Sequence, residues 1–173
     1  MNRIRPACRH DAAQIAEIYS QGIAQRQATF ETAPRTAADI DAWIERSSCY
    51  PLIVAVDEAN VVLGWAGLSS YRERECYARI AEFSVYLAHS VRRLGLGQQL
   101  LTALIEFAAE CGFSKLLSRV FTFNHASRRL CQRCGFREVG VYQRHAQLDG
   151  RWLDVVIVER LIERNHPRNE QHS

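Results

Sequence analysis

The segment that most constrains the fold runs from Ile80 to Cys111, where a strand pattern gives way within a few residues to a helix pattern. Ile80, Phe83, Val85, Tyr86 and Leu87 supply β-branched and aromatic side chains over a short run, the composition of a strand. From Leu96 the period changes. Leu96, Leu100, Leu104 and Phe107 or Ala108 fall on one helical face, with Leu101 and Ile105 beside them. Between the two patterns lies Arg92-Arg93-Leu94-Gly95-Leu96-Gly97, with both glycines at the helix start. Glycine there lets a bulky anion approach the main chain, and the free N–H groups of a helix N-terminus favour negative charge. A strand, a basic loop and a helix in this order predict an α/β domain that holds a phosphate.

The remaining elements surround this unit. A short strand is expected at residues 3–6 and a helix at 11–25, where Ile15, Ile18, Tyr19 and Ile23 recur at helical spacing and Asp11 sits at the positive end. A loop carrying Ala28-Thr29-Phe30-Glu31 leads to a second helix at 37–47. Strands at 52–56 and 61–71 form a hairpin around Asp57-Glu58-Ala59-Asn60, and a charged loop, Arg72-Glu73-Arg74-Glu75-Cys76, leads to the strand at 78–87. Beyond the organising helix come a strand at 115–121, a helix at 124–134 ended by Gly135, and a hairpin of 136–147 with 152–160 turning at Asp149-Gly150. Strands and helices mix without strict alternation, so the expected sheet is mixed and mostly antiparallel, with helices on both faces. One domain over residues 1–162 and a polar tail over 163–173 complete the organisation.

Composition narrows the function. The net charge of +3 is too mild to require nucleic acid but suits an anionic ligand. Arg128, Arg129, Arg133 and Arg137 cluster without interleaved aromatic residues, so a solvated helix face is expected rather than a nucleic-acid surface. No apolar run reaches the roughly 20 residues of a membrane helix. Residues 1–6 lack the apolar core of a signal peptide, so a cytoplasmic protein with its six cysteines reduced is expected. Cys131-x-x-Cys134 has no second pair at metal-site spacing, and no metal is expected.

The glycine loop admits several ligands in principle. A dinucleotide fingerprint would need a third glycine where Leu100 stands, and a P-loop would need a Gly-Lys-Ser/Thr ending that is absent. Arg92-x-x-Gly95-x-Gly97 between strand and helix instead resembles the pyrophosphate-binding motif of the GNAT superfamily of N-acetyltransferases. Asn124-x-x-Ser127-x-x-Leu130 with Cys134-Gly135-Phe136 resembles that superfamily's second cofactor segment. Ala28-Thr29-Phe30-Glu31-Thr32, Tyr71-Arg72-x-Arg74, residues 80–86 and Asp149-Gly150-x-Trp152-x-Asp154 are similar to the phosphinothricin acetyltransferase group. Within it, residues 136–142 and 156–161 most resemble the arsinothricin-resistance N-acetyltransferases.

The resemblance implies acetyl-CoA as cofactor, held by Val85, Tyr86, Leu87, Arg92, Arg93, Leu94, Gly95, Leu96, Gly97, Asn124 and Ser127. It implies transfer of acetyl to the α-amino group of a small glutamate-like amino acid, of the phosphinothricin, methionine sulfoximine or arsinothricin type. A homodimer is expected on the same ground. Glu82, the acidic residue inside the central strand just before the cofactor loop, is the expected general base, and main-chain N–H groups near Val85 and Leu87 are candidates to polarise the thioester. Arg72 and Arg74 can clamp carboxylate and oxyanion groups, with Phe30 and Tyr77 as aromatic walls. Cys131 stands where many relatives place a tyrosine or histidine general acid; it is either that acid or a small buried hydrophobe. Phe123 replaces an acidic residue frequent in relatives. The alternatives are an acetyltransferase for another small amine or a protein N-terminus, or a non-catalytic CoA-binding sensor, which would need the glycine loop but neither Glu82 nor the arginine pair.

Overall fold

A computed structural model describes residues 2–91 and 95–166. Seven strands form one sheet: β1 (Arg3–Pro6), β2 (Leu52–Val56), β3 (Val62–Ser70), β4 (Ile80–Leu87), β5 (Lys115–Phe121), β6 (Arg137–Leu148) and β7 (Arg151–Leu161). Their order across the sheet is β1-β2-β3-β4-β5-β7-β6. Every neighbouring pair is antiparallel except β4 and β5, which run parallel because the helix α3 (Leu96–Glu110) carries the chain between them. The other helices are α1 (Ala12–Ala24), α2 (Ala37–Glu45) and α4 (His125–Arg133).

The alternation of side chains along the strands divides the core into two layers. On one face Ile53 and Ala55 of β2, Ala66 and Leu68 of β3, and Ala81 and Phe83 of β4 pack against Leu96, Leu100, Leu101, Leu104, Ile105 and Ala108 of α3. On the other, Leu52, Val54, Val56 and Trp65 meet Ala12, Ile15, Ala16 and Ile18 of α1 and Ile40 of α2. Burial on both faces explains why all five residues of β2 are apolar and buried. The apolar stripe expected for α3 is the stripe the structure buries.

The elements begin and end for local reasons. Thr36 caps α2 by accepting from the Asp39 N–H, and Asp39 returns a bond from the Thr36 N–H. Gly95 stands at φ +77° before α3, a conformation only glycine adopts without strain. The polar tail is expected from residue 163, and its first residues, 163–166, are among those described. Glu163–Asn165 forms a turn whose Asn165 side chain donates to the carbonyls of Ala109 and Phe113, and the His166 ring bonds the Ser114 carbonyl, fastening this segment to the end of α3.

Candidate active site

The parallel pairing between β4 and β5 covers only Ile80–Glu82 against Lys115–Leu117. Both strands continue, β4 to Leu87 and β5 to Phe121, but they part after Glu82 and open a slot in the middle of the sheet. A cavity of about 430 Å³ occupies it, lined from β4 by Glu82, Phe83, Ser84, Val85 and Tyr86 and from β5 by Ser118, Arg119, Val120 and Phe121.

The two faces of the sheet furnish the slot differently. Glu82 lies on the face that carries α1, as do Tyr86, which packs on Tyr19 of α1 at 4.9 Å between ring centroids, and Arg119, two residues past the Glu82 partner Leu117. Loop residues Ala28, Thr29, Phe30 and Glu31 close the slot on this side. Phe30 stands edge-on to Phe121 at 4.8 Å. The Arg26 guanidinium holds the loop to Asp149 in the β6–β7 turn at 2.9 Å, and Asn124 Nδ2 donates to the Gln27 carbonyl at 3.0 Å. On the opposite face, Asn124, Ser127, Leu130 and Cys131 of the α4 segment form the wall. Asn124 caps α4, its Oδ1 accepting from the Ser127 N–H.

Glu82 is one fifth exposed and is bridged by Arg119, whose Nη2 donates to both carboxylate oxygens at 2.7 and 3.0 Å. Arg119 does not figure in the sequence expectations. Its signal was available: a cation within the strand run Leu116-Leu117-Ser118-Arg119-Val120-Phe121, beside four large apolar residues, needs a reason. Cys131 is buried, and burial, reinforced by the neighbouring Cys134, pushes its thiol up to about 12. Such a thiol stays protonated near neutral pH and packs with the α3 core. Tyr86 is likewise raised above the ordinary phenol range by burial, while a hydrogen bond with Thr29 acts in the other direction.

Of the residues expected to bind cofactor, Val85, Tyr86, Asn124 and Ser127 line the slot. Leu87, Leu96 and Gly97 lie next to it, and Arg92, Arg93 and Leu94 fall outside the described residues. The start of α3 fits a phosphate group. The N–H groups of residues 96–98 precede the first helical bond, from the Gln99 N–H to the Gly95 carbonyl, and a Cβ on Gly95 would meet nothing within 4 Å. A Cβ on Gly97 would stand at ordinary contact distance from Leu130 and Leu87, 3.4 and 3.5 Å, where the start of α3 meets α4 and β4.

Phe30 joins Glu82 in the slot, whereas Arg72, Arg74 and Tyr77 do not line it. They belong to the loop between β3 and β4, which leaves the sheet just past the Ser69–Glu82 pair. Arg72 lies over the Tyr71 ring at 5.2 Å, Tyr71 stands edge-on to Tyr77 at 5.4 Å, and both arginines are exposed. Among the described residues Arg74 has no ion pair. Phe123 is half exposed and tilts onto Phe121 at 5.3 Å.

The site is thus a sheet split between two parallel strands, with the start of α3 beside Leu130 of its α4 wall and a carboxylate on its α1 face. Residues 3–137 match the acetyltransferase (GNAT) domain family, and the chain belongs to it. It is an acetyl-CoA-dependent acetyltransferase. Over 158 residues it is 35% identical to the L-methionine sulfoximine/L-methionine sulfone acetyltransferase of Pseudomonas aeruginosa, covering 90% of this chain and 92% of that protein. The phosphinothricin N-acetyltransferase of Streptomyces coelicolor is 32% identical, with 91% and 95% covered. The fold matches that of a phosphinothricin acetyltransferase from Sinorhizobium meliloti solved in complex with acetyl-CoA, with a TM-score of 0.83, 30% identity, and 92% and 88% of the two chains covered.

Proposed function

We propose that this enzyme acetylates the α-amino group of a small glutamate-like amino acid of the phosphinothricin, methionine sulfoximine or arsinothricin type, as a cytoplasmic resistance activity. The observation that carries this reading is similarity along nine-tenths of the chain to enzymes named for two of those substrates. The slot supports it, since it presents a carboxylate and a guanidinium side by side to an incoming amine. Its volume, about 430 Å³, suits a small molecule. Six free cysteines fit a reducing compartment.

Transfer of acetyl to an amine requires a neutral amine, a polarised carbonyl and a stabilised thiolate. Bound acetyl-CoA supplies the activated acyl group. In this reading the α4 face of the slot would receive the cofactor, held by the main chain of Val85, Tyr86 and Leu87, by Asn124 and Ser127, and by the Gly95–Gly97 turn for its pyrophosphate. Arg92, Arg93 and Leu94 are assigned to the same contact from the sequence motif. The amine enters from the α1 face. Glu82 takes the ammonium proton directly or through water, an assistance worth about 10²–10⁴ in rate. Main-chain N–H groups near Val85 and Leu87, beyond the end of the β4–β5 pairing, are free to donate to the carbonyl oxygen.

Cys131 is assigned to packing. A donor near 12 would give its proton uphill by about 3 units to a thiolate of ordinary basicity, an added barrier of about 4 kcal/mol. Arg72 and Arg74, with Phe30 and Tyr77, are assigned to the far end of the substrate, where the toxins carry a second oxyanion. Exposed guanidiniums with free donors suit that role.

The enzyme is further proposed to be a homodimer. β6 is an edge strand of 12 residues, almost wholly exposed, and shows Val139, Val141 and Tyr142 to solvent, with Trp152 on the adjoining strand. Long exposed apolar edges are normally covered.

A thiol-release assay with acetyl-CoA against a panel of amino acids tests the substrate reading. Phosphinothricin, methionine sulfoximine and arsinothricin should react with a higher kcat/KM than neutral amino acids or simple amines. Faster reaction of a peptide N-terminus or an unrelated amine would overturn it.

A further inference from the structure

We infer that Arg119 is the receptor for the substrate α-carboxylate and so the residue that makes the slot select α-amino acids over simple amines. The inference rests on the reading above, in which Glu82 takes a proton from the substrate amine. Charged residues among the described lining of the slot are Glu31, Glu82 and Arg119. Glu31 is engaged with Arg35 at 3.0 Å. Arg119 is therefore the one cation that the described lining offers to an entering anion, and without it an amino acid would bring its carboxylate into a cavity already holding two others.

The geometry of the pair favours this role over simple neutralisation of Glu82. Glu82 and Leu117 are the last partners of the parallel ladder, and Arg119 is the next residue of β5 on the same face. Its side chain therefore spans the slot where the strands begin to part. Arg119 reaches Glu82 with Nη2 alone, bridging both oxygens. A guanidinium carries five N–H donors in a planar fork, so the Nε and Nη1 groups remain for a second carboxylate. Nearly half of the side chain is exposed, which leaves them accessible.

Substrate stereochemistry completes the case. In any α-amino acid, two bonds of about 1.5 Å put the carboxylate carbon about 2.5 Å from the amine nitrogen. An amine placed against Glu82 thus carries its carboxylate within one guanidinium width, the distance at which Arg119 stands. The ammonium and carboxylate of the substrate would lie on the Glu82–Arg119 pair as two antiparallel dipoles. Arg72 and Arg74, outside the slot lining, are left for the distal end.

The test compares Arg119→Lys and Arg119→Ala with the unsubstituted enzyme on three acceptors: the best amino acid of the panel, its α-carboxamide, and the amine lacking the carboxylate. The readouts are kcat and KM for each acceptor, and KM for acetyl-CoA. Losing one charge-assisted pair corresponds to about a 10- to 100-fold loss. The ratio of kcat/KM for the amino acid to that for the decarboxylated amine should fall by this factor in Arg119→Ala, mostly through KM. Arg119→Lys should recover part of the loss, because the charge remains. An equal loss on all three acceptors would overturn the inference and leave Arg119 as a group that only positions Glu82. An unchanged ratio would overturn it as well. If the unsubstituted enzyme acetylates no amino acid of the panel, the proposed substrate class fails and this inference falls with it. An enzyme that acetylates amino acids with a selectivity indifferent to Arg119 refutes the inference alone.

Discussion

At the scale of single residues, the chemistry turns on what each side chain was taken away from. Glu82 interrupts a strand whose neighbours Ala81 and Phe83 are buried, and Arg119 meets it across the opening at 2.7 Å. Glu82→Gln preserves the shape but removes the proton acceptor. Turnover at neutral pH should fall about 10²-fold or more and recover partly as rising pH supplies free amine. Acetyl-CoA affinity, measured by calorimetry, should stay within a few-fold. Cys131 presents the opposite case, since burial keeps its thiol protonated and the α3 core surrounds it. Cys131→Ala should therefore cost about 1 kcal/mol of stability, one small buried group, and less than tenfold in kcat. A loss of a hundredfold with the fold intact would return the general-acid role to it.

At the scale of elements, two junctions hold the slot in place. Asp11 precedes α1 and is nearly inaccessible, yet it accepts from both terminal nitrogens of Arg5 at 2.7 and 2.9 Å and from the Cys8 N–H at 2.8 Å. Burial alone would raise its pKa; the Arg5 and Cys8 bonds outweigh that and leave it below the ordinary carboxylate value. A carboxylate depressed in the folded state contributes stability above its unfolded pKa, and the contribution disappears as pH falls through the lower, folded value. Asp11→Asn should lower stability at neutral pH by about 2–4 kcal/mol, and denaturant melts should show the difference shrinking under acid conditions. The second junction is the entry to α3. Gly95→Ala forces a side chain into the left-handed region, at about 1 kcal/mol, where no neighbouring atom obstructs it. It should lower the melting temperature without ligand and reduce the further rise that acetyl-CoA produces. An undiminished rise would separate this turn from the cofactor.

For the whole molecule, the split sheet decides how the parts cooperate. The α4 segment forms one wall, α1 and the loop after it the other, and the β6–β7 hairpin reaches across through the Arg26–Asp149 pair. Its strand β6 is almost wholly exposed. Val141 is about half exposed on the edge strand. If β6 is the dimer edge, sedimentation should give twice the chain mass of 19.8 kDa, and Val141→Lys should shift it to the single-chain value without lowering the melting temperature of the monomer. A single-chain mass for the unsubstituted enzyme at micromolar concentration would reject the dimer.

The sequence by itself determined which segments become strands and helices, because those choices follow from period and from punctuation. Leu96, Leu100, Leu104 and Ala108 recur at helical spacing, and α3 buries that stripe. Asp149-Gly150 demands left-handed backbone, and both residues have positive φ. The strand Lys115–Phe121 and the first strand Arg3–Pro6 stand where their composition put them. The glycine pair and Asn124 were legible for the same reason, as local backbone requirements. What the tertiary structure decided concerns distances between segments far apart in the chain. Nothing in the order of residues says that β4 and β5 stay paired for three residues and then separate, since that depends on how α3 and α4 pack against both. Nor does it pair Glu82 with Arg119, 37 positions away, or set Gly97 beside Leu130 and Leu87. Periodicity reports which face of an element is apolar. Which side chains face each other across a gap is fixed only when the elements have been packed.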